Sequence, residues 1–199
     1  MKLVTPIYGQ DYKPGTHMFM REPGNWISDG VCWFGSFEEA CAFSSSHVIM
    51  VVDEKTGLEC SEYGVQYFPL SKYFDGKHEI VCREPLGMDE LSVKQALDYG
   101  AILQSGAKGY AGYDGLALFL GYPIAVLSEQ LRFFPWLRKI PVPFHLPNGR
   151  VCSVFMADMM KHTDRYKDAE IFYQWNMTRI TPVILYNEFP YKPFRYEAH

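Results

Sequence analysis

Hydrophobic and polar positions follow different rhythms in the two halves of the chain. In the first half the apolar stretches are short and separated by turn formers. His17-Met18-Phe19-Met20 is a strand-length run between Pro14-Gly15 and Pro23-Gly24. His47-Val48-Ile49-Met50-Val51-Val52 is a β-branched apolar run that leads into a turn marked by Lys55-Thr56-Gly57. Further strands are predicted at Leu58 to Glu62, Val65 to Phe68 and His78 to Arg83, with a helical turn from Pro69 to Phe74. Such hairpin-like spacing predicts a small antiparallel sheet. Between Trp26 and Phe43 aromatic and small residues mix, and helix is predicted around Ser36 to Ala42.

The period changes at Asp89. Leu91, Gln95, Leu97, Ala101 and Ile102 fall near helical spacing through Leu103, with Asp89 and Glu90 in the first turn. Gly106 to Gly115 is a Gly/Tyr-rich loop, and Leu116 to Val126 is an apolar helix or buried segment. An irregular aromatic and proline-rich insert follows at about 130–147. A helix is predicted from Cys152 to His162, just after the turn signal Asn148-Gly149, with Val154, Phe155 and Met159 on its buried face. Prolines after Arg179 predict an extended, irregular tail at about 180–199. With no internal repeat and no flexible linker, the reading is one α+β domain over residues 1–199, a small antiparallel sheet packed with helices.

Composition narrows the function classes. A chain of 199 residues can bury a substantial core, and 16% aromatic residues argue against disorder over most of its length. Net charge is -4 with no long run of either sign, which is not the footprint of a nucleic-acid binder. Met1 to Pro6 shows no apolar signal core, and the longest apolar run, Leu116 to Leu127, is broken by Gly121 and Pro123. Neither a secretory signal nor a transmembrane segment is therefore expected. The 5 cysteines, Cys32, Cys41, Cys60, Cys82 and Cys152, form no C-x-x-C pair. Free thiols in a reducing, cytoplasmic setting are the simpler reading than a zinc site or a disulfide framework. No cofactor is implied. A zinc set of His47, Glu59, Cys60 and Cys152 is the weaker alternative, since no local pair has zinc-site spacing.

One cysteine stands apart. A thiol at a helix N-terminus faces unpaired backbone N–H groups and the positive end of the dipole, which favour thiolate over thiol. Cys152 holds that position. A cysteine hydrolase also needs an imidazole and a polar group that orients it. His47, opening an apolar strand after Ser44-Ser45-Ser46, is the best imidazole candidate, and Glu59 or Glu62 on the next strand could bond its second nitrogen. His17, His78, His145 and His162 read as surface or structural residues.

Several segments together resemble one family. His47-Val48-Ile49-Met50-Val51-Val52, Leu58-Glu59-Cys60-Ser61-Glu62-Tyr63-Gly64-Val65 and Pro69-Leu70 resemble the first half of the circularly permuted NlpC/P60 papain-like hydrolases. Lys13-Pro14-Gly15-Thr16-His17-Met18-Phe19 is similar to that family's opening, with Thr16 in place of the usual Asp. Gly109-Tyr110-Ala111-Gly112-Tyr113-Asp114, Arg150-Val151-Cys152-Ser153-Val154-Phe155 and Thr181-Pro182 resemble its later steps, with Val154 replacing a common Glu. Val48-Ile49-Met50 also lacks the family's common glycine. The order of the chain, His47 before Cys152, is that of the permuted branch.

The resemblance implies a papain-like fold in which Cys152 is the nucleophile, His47 the general base and Glu59 the orienting carboxylate, with Glu62 in reserve. It implies an oxyanion site at the Cys152 N–H, and Tyr113 as a substrate-binding cleft residue. Implied substrates are small peptides, peptidoglycan fragments or acyl lipids, attacked through an acyl-enzyme. The implied location is the cytoplasm, or delivery by a phage particle or secretion system. The competing expectation is a papain-like binding or structural module without catalysis, such as a phage or host-interaction protein.

Overall fold

The computed structural model describes residues 5–35, 43–106, 135–141 and 150–193. Its centre is a five-stranded sheet formed by β1 (His17–Arg21), β2 (His47–Val51), β3 (Thr56–Ser61), β4 (Gly64–Pro69) and β5 (Glu79–Arg83). The strands run β4-β3-β2-β1-β5, every neighbouring pair antiparallel. β1 lies between β2 and β5, pairing His17 with Met50 on one side and with Arg83 on the other.

Burial on both faces explains why β1 and β2 read as unbroken apolar runs rather than alternating ones. Phe19, Val48, Met50, Leu58, Cys60 and Val81 belong to the larger core, which the helices complete. Met18, Met20, Ile49, Val51 and Ile80 point the other way, into a smaller core closed by Tyr12, Leu70 and Tyr73. Parity therefore puts Glu59, between Leu58 and Cys60, on the side of the smaller core.

Among the helices that pack on the larger core, the longest are α2 (Glu90–Gln104) and α3 (Cys152–Lys161). Asp89 caps α2, its side chain accepting from the Ser92 N–H at 2.8 Å. Gly100 permits close approach of α2, since a Cβ there would meet Leu58 Cδ2 at 2.8 Å and Met159 Sδ at 2.9 Å. α3 is buried at every residue from Cys152 to Met160, not only at Val154, Phe155 and Met159. A helix apolar almost all round must be covered on several sides. The sheet, α2 and α5 (Pro182–Glu188) cover it. Its polar residue Asp158 accepts from Arg150 Nε at 3.2 Å and from Tyr99 Oη at 3.4 Å. The chain entering α3 is thereby tied to the middle of the helix.

One helix goes unpredicted and one predicted element is corrected. Helix α1 spans Trp26–Gly35, upstream of the predicted 36–42 segment, which lies outside the described residues. Asn25 starts it, its side-chain oxygen accepting from the N–H groups of Ile27 and Ser28 at 3.1 and 3.4 Å. The predicted extended tail is also corrected. It contains α5, where Thr181 accepts from the Ile184 N–H at 3.0 Å and Pro182 occupies the first turn. Proline is favoured at that position because its missing N–H has no intrahelical partner to lose. Only the end of the described tail is extended, where Tyr191 bridges to Pro85. A short helix α4 (Glu170–Gln174) and a 3-10 turn at Met177–Arg179 join α3 to α5. Of the insert at 130–147, residues 135–141 are described, with a 3-10 turn at Pro135–Lys139. The apolar segment 116–126 and the 107–115 part of the glycine-rich loop lie outside the described residues. Among the described residues no helix is long and apolar enough to cross a membrane.

Candidate active site

Cys152 is the first residue of α3 and is 4% exposed. Val151 precedes it in extended conformation and offers no side-chain hydrogen bond to the helix start. An apolar cap residue leaves the first-turn N–H groups to other acceptors. The thiol and these donors are thus presented at the same point.

His47 opens β2, and its Nε2 lies 3.0 Å from Glu59 Oε2. Nδ1 is the nitrogen left over, and Cys152, which lines the same cleft as the ring, is among the causes of the ring's raised pKa. The structure thus brings Cys152, His47 and Glu59 together. Glu62 is exposed in the β3–β4 turn at the rim, and the ring nitrogen that needs an orienting group is occupied by Glu59. Tyr113 lies outside the described residues.

Glu59 is fully buried yet richly bonded. Oε2 accepts from Tyr73 Oη at 2.6 Å as well as from His47. Oε1 accepts from Gln66 Nε2 at 3.0 Å and from Lys72 Nζ at 3.4 Å. Burial alone would raise a carboxyl group's pKa. His47, Tyr73 and Lys72 outweigh it and bring Glu59 down to about 2 from 4.5. For His47, burial opposes the charge, but Cys152 and Glu59 prevail and raise the ring to about 10 from 6.5. Both shifts favour an imidazolium bonded to an ionised Glu59.

Cys152 and His47 open onto a cleft of about 250 Å³, with Glu59 buried behind the ring. Cys152, His47, Lys72 and Tyr73 line one part of it, and Ile27 of α1 and Tyr63 of the β3–β4 turn line another. Tyr63 is 78% exposed. The cleft is therefore bounded by aromatic and aliphatic groups as well as by Cys152 and His47.

Other candidates fall elsewhere. Cys60 sits on the helix side of β3, where its Sγ donates to the Arg150 carbonyl at 3.5 Å. That placement does not assemble the four-residue zinc set, and among the described residues no group of three or more His, Cys, Asp or Glu could hold a metal ion. Cys32, Cys60, Cys82 and Cys152 are not joined to one another in disulfides. His17 is buried with Nδ1 against Tyr191 Oη at 2.7 Å, and His162 bonds the Asp158 carbonyl at 2.8 Å, so both are structural. His78 bonds Asp75 Oδ1 at 2.9 Å and also reaches the cleft wall. His145 lies outside the described residues.

Three residues of the site have no counterpart in the sequence reading: Gln66, Lys72 and Tyr73. Gln66 was within reach of it. Once the turn at Glu62-Tyr63 is placed, counting back along the hairpin pairs Glu59 with Gln66, as observed. Tyr73 and Lys72 arrive through the 3-10 turn Leu70–Lys72, whose path over the sheet no periodicity signals. Comparison with protein-family models, curated proteins and solved structures finds no match to the chain.

Proposed function

We propose that the chain is a thiol hydrolase of amide or ester substrates, working through a Cys152-His47-Glu59 triad and an acyl-enzyme. The observation that carries this reading is that Cys152, at a helix start, and His47, bonded through Nε2 to the buried Glu59 carboxylate, line one cleft. The His-before-Cys order and the α+β body agree with a permuted papain-like enzyme, as the sequence resemblance implies.

The chemistry follows from the geometry. The Cys152 thiolate attacks the substrate carbonyl carbon, and a carbon–sulfur bond forms as the oxygen becomes anionic. The Cys152 backbone N–H, at the uncapped start of α3, is placed to donate to that oxyanion. Collapse breaks the bond to the leaving amine or alcohol, which takes the proton from His47. Water then attacks the thioester, with neutral His47 accepting its proton, and the acid leaves as the thiolate returns. Glu59 keeps the ring oriented and stabilises its charged form throughout. Peptides, peptidoglycan fragments and acyl lipids are the substrates that the resemblance implies. The cytoplasm, or delivery by a phage particle or secretion system, is the matching location.

Iodoacetamide labelling near neutral pH tests the reading, with adducts mapped by mass spectrometry. Cys152 is expected to react faster than the other four cysteines, and His47→Ala to abolish that advantage. A chromogenic acetate ester should leave an acetyl thioester on Cys152. Slow, uniform labelling of all five cysteines, with no thioester, would point instead to a binding module that lacks the chemistry.

A further inference from the structure

Glu59 is bonded in a way that singles out one neighbour. An ionised carboxylate offers about four acceptor directions, and here each oxygen takes two donors. Tyr73 makes the shortest of these bonds, at 2.6 Å, and makes it to Oε2, the oxygen that His47 also uses. Lys72 is exposed and its bond is long, while Gln66 serves the other oxygen. The placement of Oε2 therefore depends chiefly on Tyr73.

Tyr73 is itself held firmly. It follows the 3-10 turn Leu70–Lys72 and its N–H donates to the Leu70 carbonyl at 3.0 Å. Its ring meets Phe68 edge-on at 5.3 Å and His78 edge-on at 5.0 Å between centroids. Burial and the Glu59 charge raise the phenol above its ordinary value, so the hydroxyl stays a donor. Donors on all sides leave Glu59 able only to accept. His47 must then present a proton on Nε2, which leaves Nδ1 as its other nitrogen.

We propose that Tyr73 is a positioning residue of the site, whose hydroxyl fixes Glu59 Oε2 and through it the orientation and protonation of the His47 ring. This rests on the hydrolase reading for its purpose, although the Tyr73–Glu59–His47 coupling can be measured without turnover. The charged and titratable groups facing this assembly are Cys152 from α3, His47 from β2, Lys72 beside Tyr73, His78 against its ring, and Glu62 from the β3–β4 turn.

The experiment compares wild type with Tyr73→Phe and with the same site carrying a ring-fluorinated tyrosine, a stronger donor of nearly the same shape. Carbon-13 titration reads the Glu59 carboxyl, proton NMR reads the His47 Nε2–H, and alkylation reads Cys152. Tyr73→Phe should raise the Glu59 midpoint by about one to two pH units, since it loses a charge-assisted bond. It should also broaden the His47 Nε2–H signal and slow Cys152 alkylation by roughly tenfold or more. The fluorinated residue should move the Glu59 midpoint down, opposite to Phe. A folded Tyr73→Phe protein with an unchanged Glu59 midpoint and His47 signal overturns the proposal. So does a fluorinated protein whose midpoint moves the same way as that of Phe, and this arm decides the matter if Tyr73→Phe fails to fold. Wild-type labelling is settled beforehand, so a chain without a reactive Cys152 is told apart from a chain in which Tyr73 does not position Glu59.

Discussion

Replacing Glu59 by Gln changes almost no volume but removes a charge on which four donors converge. An amide can accept on one side only. With its oxygen toward His47 and Tyr73, its NH2 faces Gln66 Nε2 and Lys72 Nζ. With its oxygen the other way, it faces Tyr73 Oη and the His47 ring. Either choice sets donor against donor in a buried site. The magnitude follows from the carboxyl itself. A fall from 4.5 to about 2 on folding, net of the cost of burial, corresponds to about 3 kcal/mol of stabilisation. Because the folded-state value is the lower one, that stabilisation is fully present above 4.5 and is lost as the pH falls toward about 2. Urea unfolding of wild type and Glu59→Gln across this range is the assay. The wild-type advantage should be widest near neutral pH and should shrink by about 3 kcal/mol as the pH approaches about 2. A neutral-pH difference under about 1 kcal/mol, or one that stays constant through the acid range, would refute the claim that these donors hold an ionised carboxylate.

Two further outcomes follow from the packing and charge of the same region. His47 is raised to about 10 with Cys152 as a cause, so its charge and the accompanying stability are present below 6.5 and lost as the pH rises through about 10. Cys152→Ala should therefore bring the His47 midpoint well below about 10 in a nitrogen-15 NMR titration, and an unchanged midpoint would deny the pairing. Phe155→Ala removes a fully buried ring of α3 from the larger core, next to Gly100 of α2, and should cost about 3–5 kcal/mol in urea unfolding. A loss below about 1 kcal/mol would mean that α3 does not pack there as described.

The strands were legible because their sequence patterns are local. Val48 to Val51 and Phe19 to Met20 are apolar without a break, and the turn at Glu62-Tyr63 sets the β3–β4 register. The Cys152 helix start was legible from the turn and the apolar run that frame it. The elements that differ are ones in which a single residue overrides composition. Asn25 starts α1 within a stretch that reads as mixed, and Thr181-Pro182 starts α5 within a tail whose prolines suggest extension. Proline argues against helix in the interior but for it in the first turn, so counting prolines misjudged the tail. In the site, His47 is marked by its place at the start of an apolar strand and Glu59 by the family resemblance, whereas Tyr73 depends on how a 3-10 turn folds back over the sheet. That is tertiary information which no spacing carries.

The cost of Glu59 bears on the choice between enzyme and binding module. A fully buried carboxylate is stabilising only while its donors remain in place, and apolar replacements of similar volume are often as stable or more so. A module needing the fold alone could fill this position of β3 with a residue like its neighbours Leu58 and Cys60. Instead the chain directs a tyrosine, a glutamine, a lysine and a histidine onto one carboxylate. Their bonds to Glu59 add nothing to a partner surface, because the carboxylate they meet is fully buried. What they secure is the orientation and charge of His47 beside the Cys152 sulfur. That requirement belongs to proton transfer rather than to docking, and it supports the hydrolase reading over the module.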